Sequence, residues 1–378
     1  MRTIRITMAQ INPLVGDLAG NRDKIIDAID NAKKLGSDLI ALPELAVTGY
    51  PPEDLILKPQ FVKDSIKMLN TIQRSTKGIT AIVGFVDNDR NRLFNAAAIL
   101  ADGKYIHTYR KIFLPNYGVF DEYRYFSPGG RYPVFLINGV RVGVNICEDI
   151  WFEEGPARVQ ALAGAEVIVN INASPYHKGK GEERLKMLSQ RAKENDVIIS
   201  YTNTVGGQDE LVFDGQSMVI DRNGKVLARG KQFEEELLTV DVRVPGTLGP
   251  CPGDRRQFSD FMDCISVSNR STRKKKRLPG GRTTKPLPVC EEVYHALVLG
   301  TRDYMRKNGF KSAVIGLSGG IDSSLVAAIA VAAIGKENLI GVFMPSQYSS
   351  NVSREDARDL AHNLGIRILE IPIKQTFE

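Results

Sequence analysis

Apolar and polar residues alternate along "TIRITMAQI" (residues 3–11), a stretch rich in β-branched types, and the alternation predicts a strand. In "NRDKIIDAIDNAKKLGSD" the apolar positions recur at helical spacing as far as a glycine, which predicts an amphipathic helix and its stop. Apolar runs in "LIALPEL", "AIVGFV" (81–86), "FNAAAIL" (94–100), "VRVGVNIC", "AEVIVNINAS" and "VIISYTNTV" predict further strands. "QSMVIDRNGKVLARG" predicts a hairpin turning at "RNGK", and "EERLKMLSQRAKENDV" an amphipathic helix. Mostly apolar strands interleaved with helices imply a layered α/β domain covered on its sheet faces, spanning residues 1–245.

The pattern then changes. Residues 246–288 contain "PGTLGPCPGDRRQ" and "RSTRKKKRLPGGRTTKPLP", rich in Pro, Gly and basic residues with little periodicity, as in an interdomain linker. From 289 to 378 the order is helix ("EEVYHALVLGTRDYMRKNGF"), strand ("SAVIGL"), helix, strand ("LIGVFM"), helix ("SREDARDLAHNLG") and strand ("RILEIPI"). Repeated β-loop-α units at this spacing predict a parallel, doubly wound sheet.

Composition narrows the function classes. At 378 residues the chain is too long for one core. A net charge of +6 suits acidic substrates such as nucleotides without requiring nucleic acid, and "RKKKR" reads as solvated linker. No run of about eighteen apolar residues predicts a membrane span, and the first residues lack the apolar core of a secretion signal, so a cytoplasmic protein is expected. Cys147, Cys251, Cys264 and Cys290 form no C-x-x-C pair, which argues against a zinc site. The four histidines are scattered and read as surface residues.

Two stretches carry chemistry. "GLSGGIDSS" (316–324) lies between a predicted strand and helix, where unpaired backbone N–H groups and the positive end of the helix dipole bind anions. Gly319 and Gly320 permit a tight turn and a close approach to phosphate, and Ser318, Ser323 and Ser324 add hydroxyl donors. The stretch lacks the lysine of a Walker loop and the G-x-G-x-x-G of dinucleotide folds. S-G-G-x-D-S resembles the pyrophosphate-binding loop of the ATP pyrophosphatases. That resemblance assigns ATP binding to Gly316, Leu317, Ser318, Gly319, Gly320, Ile321, Asp322 and Ser323, with Asp322 a candidate for the magnesium of Mg–ATP. Ser346, Tyr348 and Ser349 follow the next strand and face the same crevice.

The second stretch is "VNICEDIW" (144–151), with a cysteine at a strand end. A cysteine there is more often a small core residue than a catalyst. Two other strand-like regions, however, carry a charge that burial would make costly: Glu44 in "LPELAVTGYPPEDL" and Lys111 in "YRKIFLPNYGVFDEYRYFSPG". A carboxylate can take a thiol proton, and an ammonium can stabilise the thiolate and the oxyanion that follows.

This ordered Glu, Lys and Cys set resembles the nitrilase (carbon–nitrogen hydrolase) superfamily, over residues 1–245. "YRKIFLPNYGVFDEYRYF" and "VGGQDELVFDG" (205–215), joined to S-G-G-I-D-S, resemble more narrowly the glutamine-dependent NAD synthetases. The resemblance implies a nitrilase-like α-β-β-α sandwich followed by a partial doubly wound parallel α/β domain. It implies Glu44 as general base, Lys111 as oxyanion stabiliser and Cys147 as nucleophile, with Tyr117, Ser174 and Lys180 contacting glutamine and Glu122 a second carboxylate near the lysine. Glu148, Asp149 and Trp151 are read as structural, Trp151 also as a pocket wall. The implied substrates are L-glutamine, Mg–ATP and deamido-NAD, with no tightly bound prosthetic group and a homo-oligomeric assembly. Family members continue past residue 378, so only the N-terminal part of the synthase domain is expected, with ATP binding weak. The alternative is a stand-alone nitrilase-type amidase with a vestigial nucleotide domain.

Overall fold

The computed structural model describes residues 1–246, 263–268, 275, 278 and 283–373, so the expected linker, with Cys251, lies mostly outside the described residues. The chain divides into two units, residues 1–206 with 213–287 and residues 207–212 with 288–378.

In the first unit the chain runs β1 (Arg2–Gln10), α1 (Leu18–Lys34), β2 (Leu39–Ala41), α2 (Pro59–Arg74), β3 (Thr80–Asp89), β4 (Arg92–Ala101) and β5 (Lys104–Arg110). It continues with β6 (Val134–Ile137), β7 (Val140–Ile146), α3 (Pro156–Leu162), β8 (Val167–Asn172), α4 (Lys180–Asn195) and β9 (Ile198–Asn203). A two-stranded ribbon, β10 (Val205–Gln208) and β11 (Leu211–Asp214), of which residues 207–212 belong to the second unit, precedes β12 (Met218–Ile220), β13 (Val226–Arg229), β14 (Glu236–Val244) and β15 (Cys264–Ser268).

Two mixed sheets result, of order β14-β1-β2-β3-β4-β5 and β13-β12-β9-β8-β7-β6-β15. Their facing sides share one core: Ile4, Ile6 and Met8 from β1 and Ile82 from β3 meet Val142, Val144 and Ile146 from β7 and Val169 from β8. Ile25, Ile29, Leu69 and Ile72 of α1 and α2 bury the outer face of the first sheet. Met187, Leu188 and Ala192 of α4 bury that of the second. This is an α-β-β-α sandwich, and its double covering explains why the strands read as apolar on both faces. The buried Arg5 of β1 is paired: its Nε donates to Asp241 Oδ1 of the opposite strand at 2.7 Å.

The second unit contains α5 (Val289–Lys307), β16 (Ala313–Gly316), α6 (Ile321–Ile334), β17 (Leu339–Phe343), α7 (Asn351–Leu364) and β18 (Arg367–Glu370). β16, β17 and β18 pair in sequence order, both pairings parallel. Leu317, Ala327, Leu339, Phe343, Ala357 and Ala361 form the core between this sheet, α6 and α7.

Candidate active site

Three turns at the ends of β2, β5 and β7 bring Glu44, Lys111 and Cys147 to one end of the sandwich. Glu44 sits in the turn after β2, which lies directly on β3 at Gly84. A Cβ on that glycine would stand 2.2 Å from Pro43 O and 2.5 Å from Leu45 N. The backbone bond from Val47 N–H to Gly84 O (3.2 Å) fixes the contact. Lys111 follows β5 directly, and its N–H donates to Asn95 O on β4 at 2.8 Å. Cys147 follows β7 directly and opens a 3-10 turn, Cys147–Ile150, with φ of 43°. A left-handed conformation in a residue with a Cβ costs about 1–2 kcal/mol and persists only where its surroundings hold it.

Lys111 Nζ donates to Glu44 Oε1 (2.8 Å) and Glu122 Oε1 (2.7 Å), and all three side chains are buried. Asn95 Nδ2 donates to Glu44 Oε1 at 2.7 Å and reaches Glu122 Oε2 at 3.5 Å. The other oxygen of Glu44 accepts from Ala173 N–H at 2.9 Å. Two carboxylates thus share one ammonium. Burial pushes the Glu122 carboxyl up to about 7; Lys111 opposes the rise and Glu44 adds to it. Burial alone would pull the Lys111 pKa down, but Glu122 and Glu44 outweigh it and hold the amine well above its ordinary range, hence protonated. Burial pushes the Cys147 thiol well above its ordinary value; Glu44 reinforces this and Lys111 opposes it. Cys147 therefore rests as a thiol, under the influence of a carboxylate and a cation that are themselves paired.

Tyr117 and Glu148 lie at the open side. The Tyr117 hydroxyl donates to both Glu148 oxygens, at 2.9 and 3.0 Å, and its ring is exposed. Burial raises the Glu148 pKa while the Tyr117 hydrogen bond and Lys111 lower it. Ser174 is buried after β8. Its N–H donates to Asn203 Oδ1 (2.9 Å), and its Oγ accepts from Arg184 Nη2 (3.3 Å). Arg184 and Asp214 form a wholly buried ion pair at 3.2 Å, and Arg184 feels the charge of Cys147. Lys180 opens α4 with its ammonium 4.2 Å above the centre of the Trp151 ring and 3.2 Å from Glu183.

Sequence reasoning treated Glu148 and Asp149 alike as structural. The structure separates them: Glu148 reaches the half-exposed mouth beside Tyr117, whereas Asp149 is wholly buried and holds backbone on both sides of the site. Asn95 was missed altogether. Its signal is an amide in an otherwise apolar strand, "FNAAAIL", where a buried polar side chain needs a partner.

In the second unit, Gly316 ends β16 and Ile321 begins α6, so Leu317 to Gly320 form the strand-to-helix turn. Gly319 has φ of 78° and lies against Ser353, whose carbonyl oxygen would be 2.4 Å from an added Cβ. Ser318 N–H donates to Ser323 Oγ (3.3 Å), and the Ser323 and Ser324 hydroxyls donate to Gly320 O, each at 2.9 Å. Ile321 is exposed, and Asp322 lies in the first turn of α6. In the loop after β17, Ser346 N–H donates to Ser349 Oγ at 3.0 Å and Tyr348 N–H to Ser346 Oγ at 3.2 Å. Both loops leave the carboxyl ends of neighbouring parallel strands, the position at which such sheets bind ligands.

A sequence model of the carbon-nitrogen hydrolase family matches residues 5–247, and one of the NAD synthase family matches residues 293–378. The chain is 48% identical to a glutamine-dependent NAD(+) synthetase of Thermotoga maritima, an alignment covering 100% of this chain and 66% of that protein. It is 46% identical to one of Aquifex aeolicus, with 99% and 66% covered. Among solved structures, a glutamine-dependent NAD+ synthetase from Acinetobacter baumannii in complex with ADP superposes with a TM-score of 0.85 at 35% identity, over 99% of this chain and 66% of that one. An amidase from Nesterenkonia superposes with a TM-score of 0.57 at 28% identity, over 63% of this chain and 90% of its own. The chain therefore spans 66% of the length of these first two curated relatives.

Proposed function

We propose, from the premise that this chain belongs to the carbon–nitrogen hydrolase family, that it is a glutamine-dependent NAD+ synthetase sequence. In this reading residues 1–245 are the glutaminase, 246–288 a linker and 289–378 the N-terminal part of the NAD synthase domain. The observation that carries the reading is the buried Glu44–Lys111–Glu122 cluster acting on Cys147.

Glu44 takes the Cys147 proton as Sγ attacks the side-chain amide carbon of glutamine. The Lys111 ammonium stabilises the oxyanion. As the C–N bond breaks, Glu44 returns the proton to the nitrogen, which leaves as ammonia, and a glutamyl thioester remains. Water, deprotonated by Glu44, then attacks the thioester; the C–S bond breaks, the thiol regains its proton and glutamate departs. Tyr117, Glu148, Ser174 and Lys180 bind the amino-acid end of glutamine: an acidic group suits its ammonium, and Lys180 suits its carboxylate.

In the second half the turn from Gly316 to Ser323 holds the phosphates of ATP, which enters as its Mg2+ complex near Asp322. The nicotinate carboxylate of deamido-NAD takes AMP from ATP and releases pyrophosphate; ammonia then displaces AMP to give NAD+. Ammonia at neutral pH is mostly protonated and unreactive, which is a physical reason to join the two halves in one chain. The resemblance further implies a cytoplasmic homo-oligomer without a prosthetic group. Among the described residues, no helix is long and apolar enough to cross a membrane.

The test supplies purified protein with glutamine, then adds Mg–ATP and deamido-NAD. Glutamate release that vanishes in Cys147→Ala supports the glutaminase assignment. Hydrolysis of simple amides in preference to glutamine would favour a stand-alone amidase instead.

A further inference from the structure

Asp149 is wholly buried two residues beyond Cys147, and both of its oxygens are engaged. Oδ1 accepts the backbone N–H groups of Ile112 (3.1 Å) and Phe113 (2.9 Å), the two residues that follow Lys111. Oδ2 accepts the Tyr109 hydroxyl (2.7 Å), from the strand leading into Lys111, and the N–H of Ile146 (3.0 Å), the residue before Cys147. Tyr109 lies on β5 of one sheet and Ile146 on β7 of the other. One carboxylate therefore ties the chain on both sides of the lysine to the chain entering the nucleophile, across the gap between the sheets.

The surroundings give that tie a purpose. Cys147 has φ of 43°, a conformation that relaxes unless its neighbours hold it. Lys111 serves an oxyanion only at a fixed distance from the attacking sulfur. Four donors converge on Asp149, and two carboxylate oxygens can accept all of them. An amide cannot. Wherever Asn turns its NH2, that group meets an N–H donor, and one side of the tie is released.

We infer that Asp149 is a positioning residue that sets the spacing between Lys111 and Cys147. It touches no substrate. It acts through the backbone on either side of the two groups that do, and the inference rests on the hydrolase chemistry proposed above.

The experiment compares wild type, Asp149→Asn and Tyr109→Phe, each checked for folding by circular dichroism. Two rates are measured: glutamine hydrolysis, and alkylation of Cys147 by iodoacetamide followed by mass spectrometry. Alkylation needs no turnover, so a wild type that fails to hydrolyse glutamine overturns the proposed function while Asp149 is still tested. In folded Asp149→Asn, kcat and the alkylation rate are expected to fall together by about a hundredfold, the scale of a misplacement of about 1 Å. KM for glutamine should stay within about threefold of wild type, because the groups that bind the amino acid are untouched. Tyr109→Phe, which removes one of the four donors, should lower both rates by about tenfold. A folded Asp149→Asn with both rates within about twofold of wild type, or with its whole loss in KM, overturns the inference. If Asp149→Asn does not fold, Tyr109→Phe decides: a parallel fall in both rates supports the role, and unchanged rates overturn it.

Discussion

The ammonium of Lys111 lies 2.8 Å from Glu44 Oε1, and neither side chain meets solvent. A buried pair of this kind is a poor way to gain stability, because desolvation consumes most of the attraction. Its presence at one end of the sandwich is understandable as chemistry held ready.

Loss of the ammonium should be severe. Lys111→Met is expected to lower kcat at least about a hundredfold, the usual scale for removing an oxyanion donor. It should also destabilise the fold by about 3–5 kcal/mol at neutral pH, since Glu44 and Glu122 are left buried without their partner. Lys111→Arg should not rescue turnover, because a planar fork cannot make both contacts in the same space. Steady-state kinetics and urea unfolding check both statements.

The nucleophile can be identified chemically. A glutamine-like electrophile should label Cys147 ahead of Cys264 and Cys290, although those two are exposed and Cys147 is buried. Cys147→Ala should fold and bind glutamine but release no glutamate. Peptide mapping after labelling checks the order.

Glu122 gives stability a pH dependence of definite sign. Its folded pKa of about 7 lies above the ordinary carboxylate value of 4.5, so between those values the folded chain holds more proton than the unfolded one. Its contribution to stability is present below pH 4.5 and is lost as the pH rises through about 7. Unfolding free energies of wild type and Glu122→Gln should therefore diverge across this window, with the wild type losing ground as pH rises.

Gly84 is expected to be intolerant of any side chain. The Cβ in Gly84→Ala would press on backbone atoms of Pro43, Glu44 and Leu45, none of which can swing aside. Overpacking of this kind costs about 1–3 kcal/mol. The displacement falls on the turn that carries Glu44, the proposed base, so kcat should drop more than thermal stability implies. Kinetics alongside a melting curve separates the two effects.

Much of this molecule was legible because strand ends carry local signals. Glu44 and Cys147 each follow an apolar run and Lys111 precedes one, and a charge or thiol at such a point is visible in one dimension. The turn between β16 and α6 was legible for the same reason, with glycines flanked by strand and helix patterns. Helix α2 was passed over, although Val62, Ser65, Leu69 and Ile72 mark its buried face. Strand β14 was also missed; its antiparallel pairing with β1 joins stretches far apart in the sequence, and no local pattern encodes such a partner. Glu148 and Asp149 show the limit most clearly. Adjacent acidic residues look equivalent in a sequence, and only the turn between β7 and α3 sends one to the mouth and the other into the interior.

The pairing of β1 with β14 places Arg2 opposite Val244 in an antiparallel ladder. The stretch from residue 2 to residue 244, which holds every described strand of the first unit except β15, thus begins and finishes at one seam, with cross-ladder Cα atoms about 5 Å apart. A fold closed in this way is topologically a ring. A short peptide could bridge residues 2 and 244, and new termini could be opened at an exposed turn such as Asn91 or Asn223, as a circular permutant with its core order unchanged. The turns after β2, β5 and β7, which carry Glu44, Lys111 and Cys147, would not be cut by such a rearrangement.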